Sequence, residues 1–245
     1  MIGPRRRPHS LRAAIAAAYG TLGRLGFTPG SAGNVSVRAA PAGMLITPSG
    51  AAADEVGARD IVALGLDGAV HGRGVPSSEW PMHAAIYRAA PTAGAIVHTH
   101  APSCTALACL GEKLPAFHYM IVAFGGDDVR CAPYVTFGTP ALAAAAVAAL
   151  DGRRACLLAN HGMIVHAPSL ARALEDAIVL ESLAGQYLAA RAAGTPLLLS
   201  TAELEAARER FRTYGRGAGR RRVNGAAGGA GMAGTTARPR IASRS

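Results

Sequence analysis

The segment AIVHTHAPSC, residues 95–104, places His98 and His100 two positions apart at the end of an apolar run. Residues two apart on a strand project from the same face, so both imidazoles can be aimed at one point as metal ligands. The same spacing also occurs in pairs that merely stand exposed where a strand ends, so a metal site needs a third ligand. LLANHGMIVHAP offers His161, which follows an apolar run and precedes Gly162, where the backbone can turn and approach closely. His166, His83, His118, His71 and His9 are also present, and counting does not choose among them. Three neutral imidazoles with an open fourth position are the arrangement expected of catalytic zinc.

VPSSEWPMH supplies a carboxylate, Glu79, just after Ser77 and Ser78 at an apparent helix start. An acid there can simply complement the helix dipole, or it can work as an acid or base beside a metal. The two serines are ordinary N-cap residues, and two hydroxyls at a helix N-terminus also suit a phosphate. Two turns offer more of the same chemistry. TPGSAGNVS carries Gly30, Ser31, Gly33 and Asn34 before a strand, and LITPSG carries Ser49 and Gly50 after one. Both can present backbone N–H groups and hydroxyls to an anion.

These residues must be held by a framework of alternating helices and strands. NVSVR, MLIT, IVALGL, AGAIVHT and ACLLA read as strands. SSEWPMHAAIYRAA and SLARALEDAIVLESLAGQYLAARAAG read as helices; Ser10 caps a first helix to about Leu25, and Ser200 or Thr201 caps the last, AELEAARERFRTYG. An α/β or α+β layered fold follows.

The 245 residues, half of them hydrophobic, suffice for one core. The net charge of +10 belongs to the ends: without the four arginines of residues 1–12 and the seven after Gly215, 14 basic face 15 acidic residues. Residues 1–8 are expected to be a flexible basic N-terminus, and 215–245, rich in Gly, Ala, Ser and Arg, a disordered tail. The tail has no aromatic residues to stack on bases, so nucleic acid is not the expected partner despite its arginines. No run of about 18 apolar residues could cross a bilayer, and no cleavable leader is evident. A cytoplasmic chain with mostly reduced, buried Cys104, Cys109, Cys131 and Cys156 is expected.

GSAGNVSVR, GMLITPSG, PSSEW, AIVHTHAPSCTAL, LPAFHYMI, CAPYVTFGT, LLANHGMIV and FRTYG occur in an order that resembles the class II aldolase/adducin family. The resemblance implies one three-layer α/β/α domain over residues 9–214 with a largely antiparallel sheet, assembled as a homotetramer with active sites between subunits. It implies one Zn2+ per subunit on His98, His100 and His161, with Glu79 reaching the metal in the resting enzyme and transferring the proton. Gly33, Asn34, Ser49, Gly50, Ser77 and Ser78 would enclose a substrate phosphate, and Ser31 and Ser49 keep a hydroxyl where family members often have threonine. Tyr119 would exchange a proton with the aldehyde-derived oxygen, Tyr214 would reach a neighbouring site, and Asn160 would face the aldehyde half.

The activity implied is reversible, metal-dependent aldol cleavage of L-fuculose 1-phosphate, or a related deoxy-ketose 1-phosphate, to dihydroxyacetone phosphate and a short aldehyde such as L-lactaldehyde. Alternatives on the same scaffold are 5-deoxyribulose-1-phosphate cleavage, ribulose-phosphate 4-epimerisation and, less favoured, methylthioribulose-phosphate dehydration. A non-catalytic adducin-like interaction module is the alternative of a different class, and it predicts loss of the histidines and Glu79, all of which are present. Lys113 is the only lysine, which leaves little for a Schiff-base mechanism.

Overall fold

Strand residues alternate between two apolar layers, and this alternation sets the architecture. The computed structural model of the chain describes residues 8–213, Pro41 excepted. Its strands are β1 (Asn34–Ala39), β2 (Gly43–Ile46), β3 (Val62–Gly65), β4 (Ala95–Thr99), β5 (Arg130–Ala132), β6 (Ala155–Leu158) and β7 (Gly162–Ala167). They form one sheet in the order β3-β2-β1-β4-β7-β6-β5, in which only β5 and β6 pair in parallel. The helices are α1 (Pro8–Arg24), α2 (Trp80–Ala89), α3 (Pro102–Cys109), α4 (Pro140–Ala149), α5 (Leu170–Ala193) and α6 (Thr201–Thr213), with a 3-10 turn at Tyr119–Phe124.

In β4, Ala95 and Val97 enter a core shared with α1, α3 and α5, whereas Ile96 enters a second core shared with α2 and α4. In β7, Val165 and Ile164 divide the same way. The outcome is the three-layer α/β/α arrangement with a mostly antiparallel sheet that the family resemblance implies. The side chains of His98 and His100 share parity with Ile96, so they emerge on the α2 face where β4 ends.

All five expected strands are present as β1, β2, β3, β4 and β6. The structure adds β5, β7, α3 and α4. Helix α1 begins at Pro8 rather than being capped by Ser10, because proline's fixed φ suits a first turn. Ser200 does cap α6: its hydroxyl accepts from the Glu203 N–H at 3.3 Å, and the Glu203 carboxylate accepts from the Ser200 N–H at 2.8 Å. Helix α2 starts at Trp80, so neither Ser77 nor Ser78 is its N-cap; Glu79 holds that position and makes no side-chain cap. All four cysteines are free; Cys104 and Cys156 are buried, Cys131 is half-buried, and Cys109 is exposed, against expectation. No described helix is long and apolar enough to cross a membrane. The basic N-terminal segment up to Arg7, the Arg/Gly tail and Tyr214 lie outside the described residues.

The turn after His100 is held from behind. Glu181 of α5 accepts from the backbone N–H groups of Ser103 and Cys104 at 2.7 and 2.8 Å, satisfying two donors that the first turn of α3 cannot pair internally. Glu181→Ala should therefore lower stability by about 2 kcal/mol, read as a lower urea midpoint at unchanged slope; an unchanged midpoint would show that water replaces this cap.

Candidate metal centre and active site

Strand register brings the site together. Asn34 of β1 lies directly opposite His98 of β4, and His98 lies opposite Ile164 of β7. His161 sits in the tight β6–β7 turn, where Asn160 adopts φ 54°, a left-handed conformation that asparagine tolerates better than most residues. Gly162 follows because a Cβ there would stand 2.3 Å from the Thr99 carbonyl oxygen and 3.2 Å from the His100 ring. The glycine lets His100 and His161 come together.

The ligand atoms of His98, His100 and His161 lie within 4.8 Å of one another. Their rings meet edge to face at 4.8 to 5.1 Å between centroids. Glu79 completes the group, with Oε2 at 3.0 Å from His98 Nε2 and Oε1 at 3.3 Å from His161 Nε2. Of the remaining histidines, His83 lies behind Asn34, His118 accepts from the Met120 N–H, and His166 sits 3.1 Å from the Arg153 carbonyl. His71 follows β3 and is exposed.

The donor set fits a divalent cation. His98 donates Nδ1–H to the Met163 carbonyl at 2.8 Å, which fixes its tautomer and leaves the Nε2 lone pair facing the cluster. His98 Nε2, His100 Nε2 and Glu79 Oε1 are all buried, and beyond the contacts within this cluster none has a hydrogen-bond partner. Such orphaned buried atoms are costly unless something binds them. Burial, reinforced by His98, pushes His100 and His161 down to about 4, so both rings are neutral at pH 7. Burial opposes charge on Glu79 and His98 as well, but their mutual attraction wins: the carboxyl falls well below its usual range and the imidazole rises. A proton on His98 and a cation in the cluster are alternatives, since both use the Nε2 lone pair.

Above the cluster is a cavity of about 620 Å³. It is lined by Ser31, Gly33, Asn34, Ser49, Gly50, Ser77, Ser78, Glu79, His100 and His161, so the residues expected at the phosphate share one space with Glu79 and two of the three histidines, His98 being buried behind them. The turn after β2 is tied to the approach of α2 by Ser49 N–H to the Val75 carbonyl at 3.0 Å and Ser77 N–H to the Thr47 carbonyl at 3.1 Å. Buried Tyr19 of α1 sets its hydroxyl 3.3 to 3.4 Å from the carbonyls of Ala32, Gly33 and Ala51, at the base of both turns. Gly33, at φ 76°, backs onto the His98 carbonyl, where a Cβ would stand 2.8 Å away. Tyr134, Val135, Phe137, Thr105 and Asn160 also line it, with Ala32 and Pro48.

Tyr119 does not join this cavity. It stands on the 3-10 turn, 52% exposed, stacked on His118 at 4.7 Å and on Phe211 of α6 at 6.0 Å. Sequence reading also passed over the buried hydrogen bonds behind Glu79. Asn34 Nδ2 donates to Glu79 Oε2 at 2.9 Å and to Ser77 Oγ at 3.0 Å, and Asn34 Oδ1 lies 2.5 Å from His83 Nε2. Burial, then His98, pushes His83 down to about 3, which keeps it neutral. The spacing Glu79, His83, Tyr87 along α2 was the available signal.

The family profile described as Class II Aldolase and Adducin N-terminal domain matches residues 13–188. The chain belongs to the class II aldolase and adducin family. Among curated relatives, the 5-methylthioribulose-1-phosphate/5-deoxyribulose-1-phosphate aldolase of Rhodospirillum rubrum is 48% identical over 191 residues, covering 78% of this chain and 86% of its own. The L-fuculose phosphate aldolase of Escherichia coli K12 is 45% identical over 193 residues, covering 78% and 89%. A solved L-fuculose 1-phosphate aldolase superposes with a TM-score of 0.80 at 40% identity, over 83% of this chain and 96% of that one. The protein is a class II aldolase with a histidine cluster able to hold a metal ion.

Metal analysis checks the ligand set directly. His100→Ala or His161→Ala should cut bound divalent metal to a small fraction of the wild-type content, because each removes one of three converging protein ligands. His166→Ala should leave it unchanged, and equal loss from His166→Ala would move the site.

Proposed function

We propose that this aldolase is zinc-dependent and reversibly cleaves a deoxy-ketose 1-phosphate, L-fuculose 1-phosphate in the first instance, to dihydroxyacetone phosphate and a short aldehyde. The observation that carries the reading is one cavity with His100, His161 and Glu79 at one side, the buried His98 closing the imidazole cluster behind them, and the glycine and serine turns lining the same space. Zinc bound by His98, His100 and His161 supplies Lewis-acid stabilisation of negative charge on the ketone oxygen. Gly33, Ser49, Gly50, Ser77 and Ser78, with Ser31 at the rim, grip the phosphate and fix the reacting carbon beside Glu79, and Asn34, whose amide is bonded to Ser77 and Glu79, lines the same pocket and holds those two in place.

In the condensation direction Glu79, held as a carboxylate, removes a proton from the hydroxymethyl carbon of dihydroxyacetone phosphate; in cleavage it returns that proton. In condensation Tyr119 donates its phenolic proton to the aldehyde oxygen as that oxygen becomes the product hydroxyl, and in cleavage the resulting phenolate takes the proton back. Its distance from the cavity in its own chain fits a tetramer in which a neighbour delivers it, together with Tyr214, to an intersubunit site. The rim formed by Tyr134, Val135, Phe137 and Asn160 then meets the aldehyde half. A cytoplasmic location suits such a substrate.

A second substrate reading, cleavage of 5-deoxyribulose 1-phosphate, rests on the 48% identity to the Rhodospirillum rubrum enzyme. Both substrates share the phosphate and ketone half and differ beyond the broken bond. Coupled measurement of dihydroxyacetone phosphate release from each, on zinc-loaded protein with and without chelator, tests both. Chelator-sensitive release is expected, with the faster substrate the native one, and Glu79→Gln should lower kcat by about 10²–10⁴-fold. Absence of release from zinc-loaded protein would point to epimerisation or dehydration instead.

A further inference from the structure

Helix α2 and strand β1 meet residue for residue behind the site. Along α2, Glu79, His83 and Tyr87 are four residues apart and share one face. Along β1, Asn34 and Ser36 are two apart and share one face. Four helical residues rise about 6 Å and two strand residues about 6.7 Å, so the two rows interdigitate. From the interior outward, Tyr87 Oη lies 2.8 Å from Ser36 Oγ, Ser36 Oγ lies 2.7 Å from His83 Nδ1, and His83 Nε2 lies 2.5 Å from Asn34 Oδ1. All of these side chains are buried, and Tyr87, Ser36, His83 and Asn34 are each at most 2% exposed. Arg38, next on the same strand face, lays its guanidinium over the Tyr87 ring at 4.6 Å.

Donor and acceptor chemistry gives this row one direction. An ionised carboxylate only accepts, so the amide NH2 of Asn34 must face Glu79, and its carbonyl oxygen must face His83. His83 therefore carries its proton on Nε2 and accepts at Nδ1 from the Ser36 hydroxyl, which in turn accepts from Tyr87. At the other end, Ser77 Oγ accepts from Asn34 Nδ2 at 3.0 Å and from the Glu79 N–H at 3.3 Å. With both accepting positions used, the Ser77 hydroxyl proton is left to point into the cavity.

We infer that His83 is a positioning residue whose Nε2–H, held by Ser36 and Tyr87, locks the Asn34 amide so that one side chain sets both Glu79 as an acceptor at the metal cluster and Ser77 as a donor to the phosphate. The inference rests on the metal and phosphate reading of the cavity. Without the lock, the Asn34 amide can turn its carbonyl toward Glu79, where two acceptors repel.

The test uses the full chain and reads binding rather than turnover: zinc affinity by competition with a chromogenic chelator, and inorganic phosphate affinity of the zinc-loaded protein by calorimetry. His83→Met should weaken zinc by about tenfold or more and phosphate by about fivefold, the loss of one oriented hydrogen bond. His83→Gln, whose amide N–H can reach Asn34 Oδ1, should keep both near wild type. Nitrogen-15 NMR of histidine-labelled wild type, assigned by the signal missing in His83→Gln, should show His83 as the Nε2–H tautomer. An Nδ1–H tautomer, a folded His83→Met variant with both affinities intact, or equal losses in folded His83→Gln would each overturn the inference. If His83→Met does not fold, Ser36→Ala takes its place: weakened zinc and phosphate support the lock, and unchanged affinities overturn it. Wild type that binds neither ligand would overturn the site reading itself, which separates that failure from failure of the lock alone.

Discussion

The site is arranged around a concentration of lone pairs that face one another. Three imidazole nitrogens within 4.8 Å of one another and a carboxylate oxygen beside them are turned inward, and several have no hydrogen-bond partner. Such a group is unfavourable by itself, because buried acceptors that face each other lose water and repel. It persists because rigid elements over-determine it: the β1–β4–β7 register, the Gly162 close approach and the Met163 carbonyl that orients His98. A cation bound by these side chains would relieve the cluster, where a proton on His98 relieves only the contact with Glu79.

The elements divide the chemistry by stiffness. Metal-facing histidines stand at strand ends and in a strand-to-strand turn, where backbone pairing leaves little freedom. The groups facing the phosphate side stand in turns, yet these are cross-tied through Tyr19 below and the Thr47 to Ser77 link at the side. Glu79 sits at the N-terminus of α2 and so belongs to both halves. Its amide partner, Asn34, is also the cross-strand neighbour of His98. A displacement of either half is transmitted to the other through one residue, which matches a reaction where the phosphate must be held while charge develops at the ketone.

Much of this was legible in the chain. The His98–Thr99–His100 spacing announced a shared strand face, and alternation located β1 and β4. The helix α4, PALAAAAVAA, escaped notice because an almost purely aliphatic stretch has no polar face to reveal a helical period, and α4 packs its alanines closely against the second core. Strand β7, GMIVHA, is buried on both faces, so it lacks the alternation that marks a half-exposed strand. The choice among six further histidines could not be made by spacing in general, because His161 joins the pair only through the β6–β7 turn. His83 was the instructive omission: a histidine on an apolar helix face reads as core, and its meaning appears only when the four-residue helix period is laid against the two-residue strand period.

Relatives of nearly equal identity to this chain carry names that differ in the aldehyde half of the substrate while sharing the ketose 1-phosphate half. Burial explains how that divergence is possible. His98, Asn34, Glu79 and Ser77 are buried and mutually bonded, so changing one leaves a partner unsatisfied at a cost of about 1–3 kcal/mol. Tyr134 and Phe137, on the opposite wall of the same cavity, are 63% and 65% exposed, and substitution at such positions usually changes stability by no more than about 0.5 kcal/mol. The part of the cavity assigned to bond cleavage is therefore energetically locked, while the part assigned to the aldehyde can be re-shaped residue by residue without unfolding the protein. On the proposed reading substrate choice falls to this exposed rim, and the shared phosphate half is what allows the rim to change.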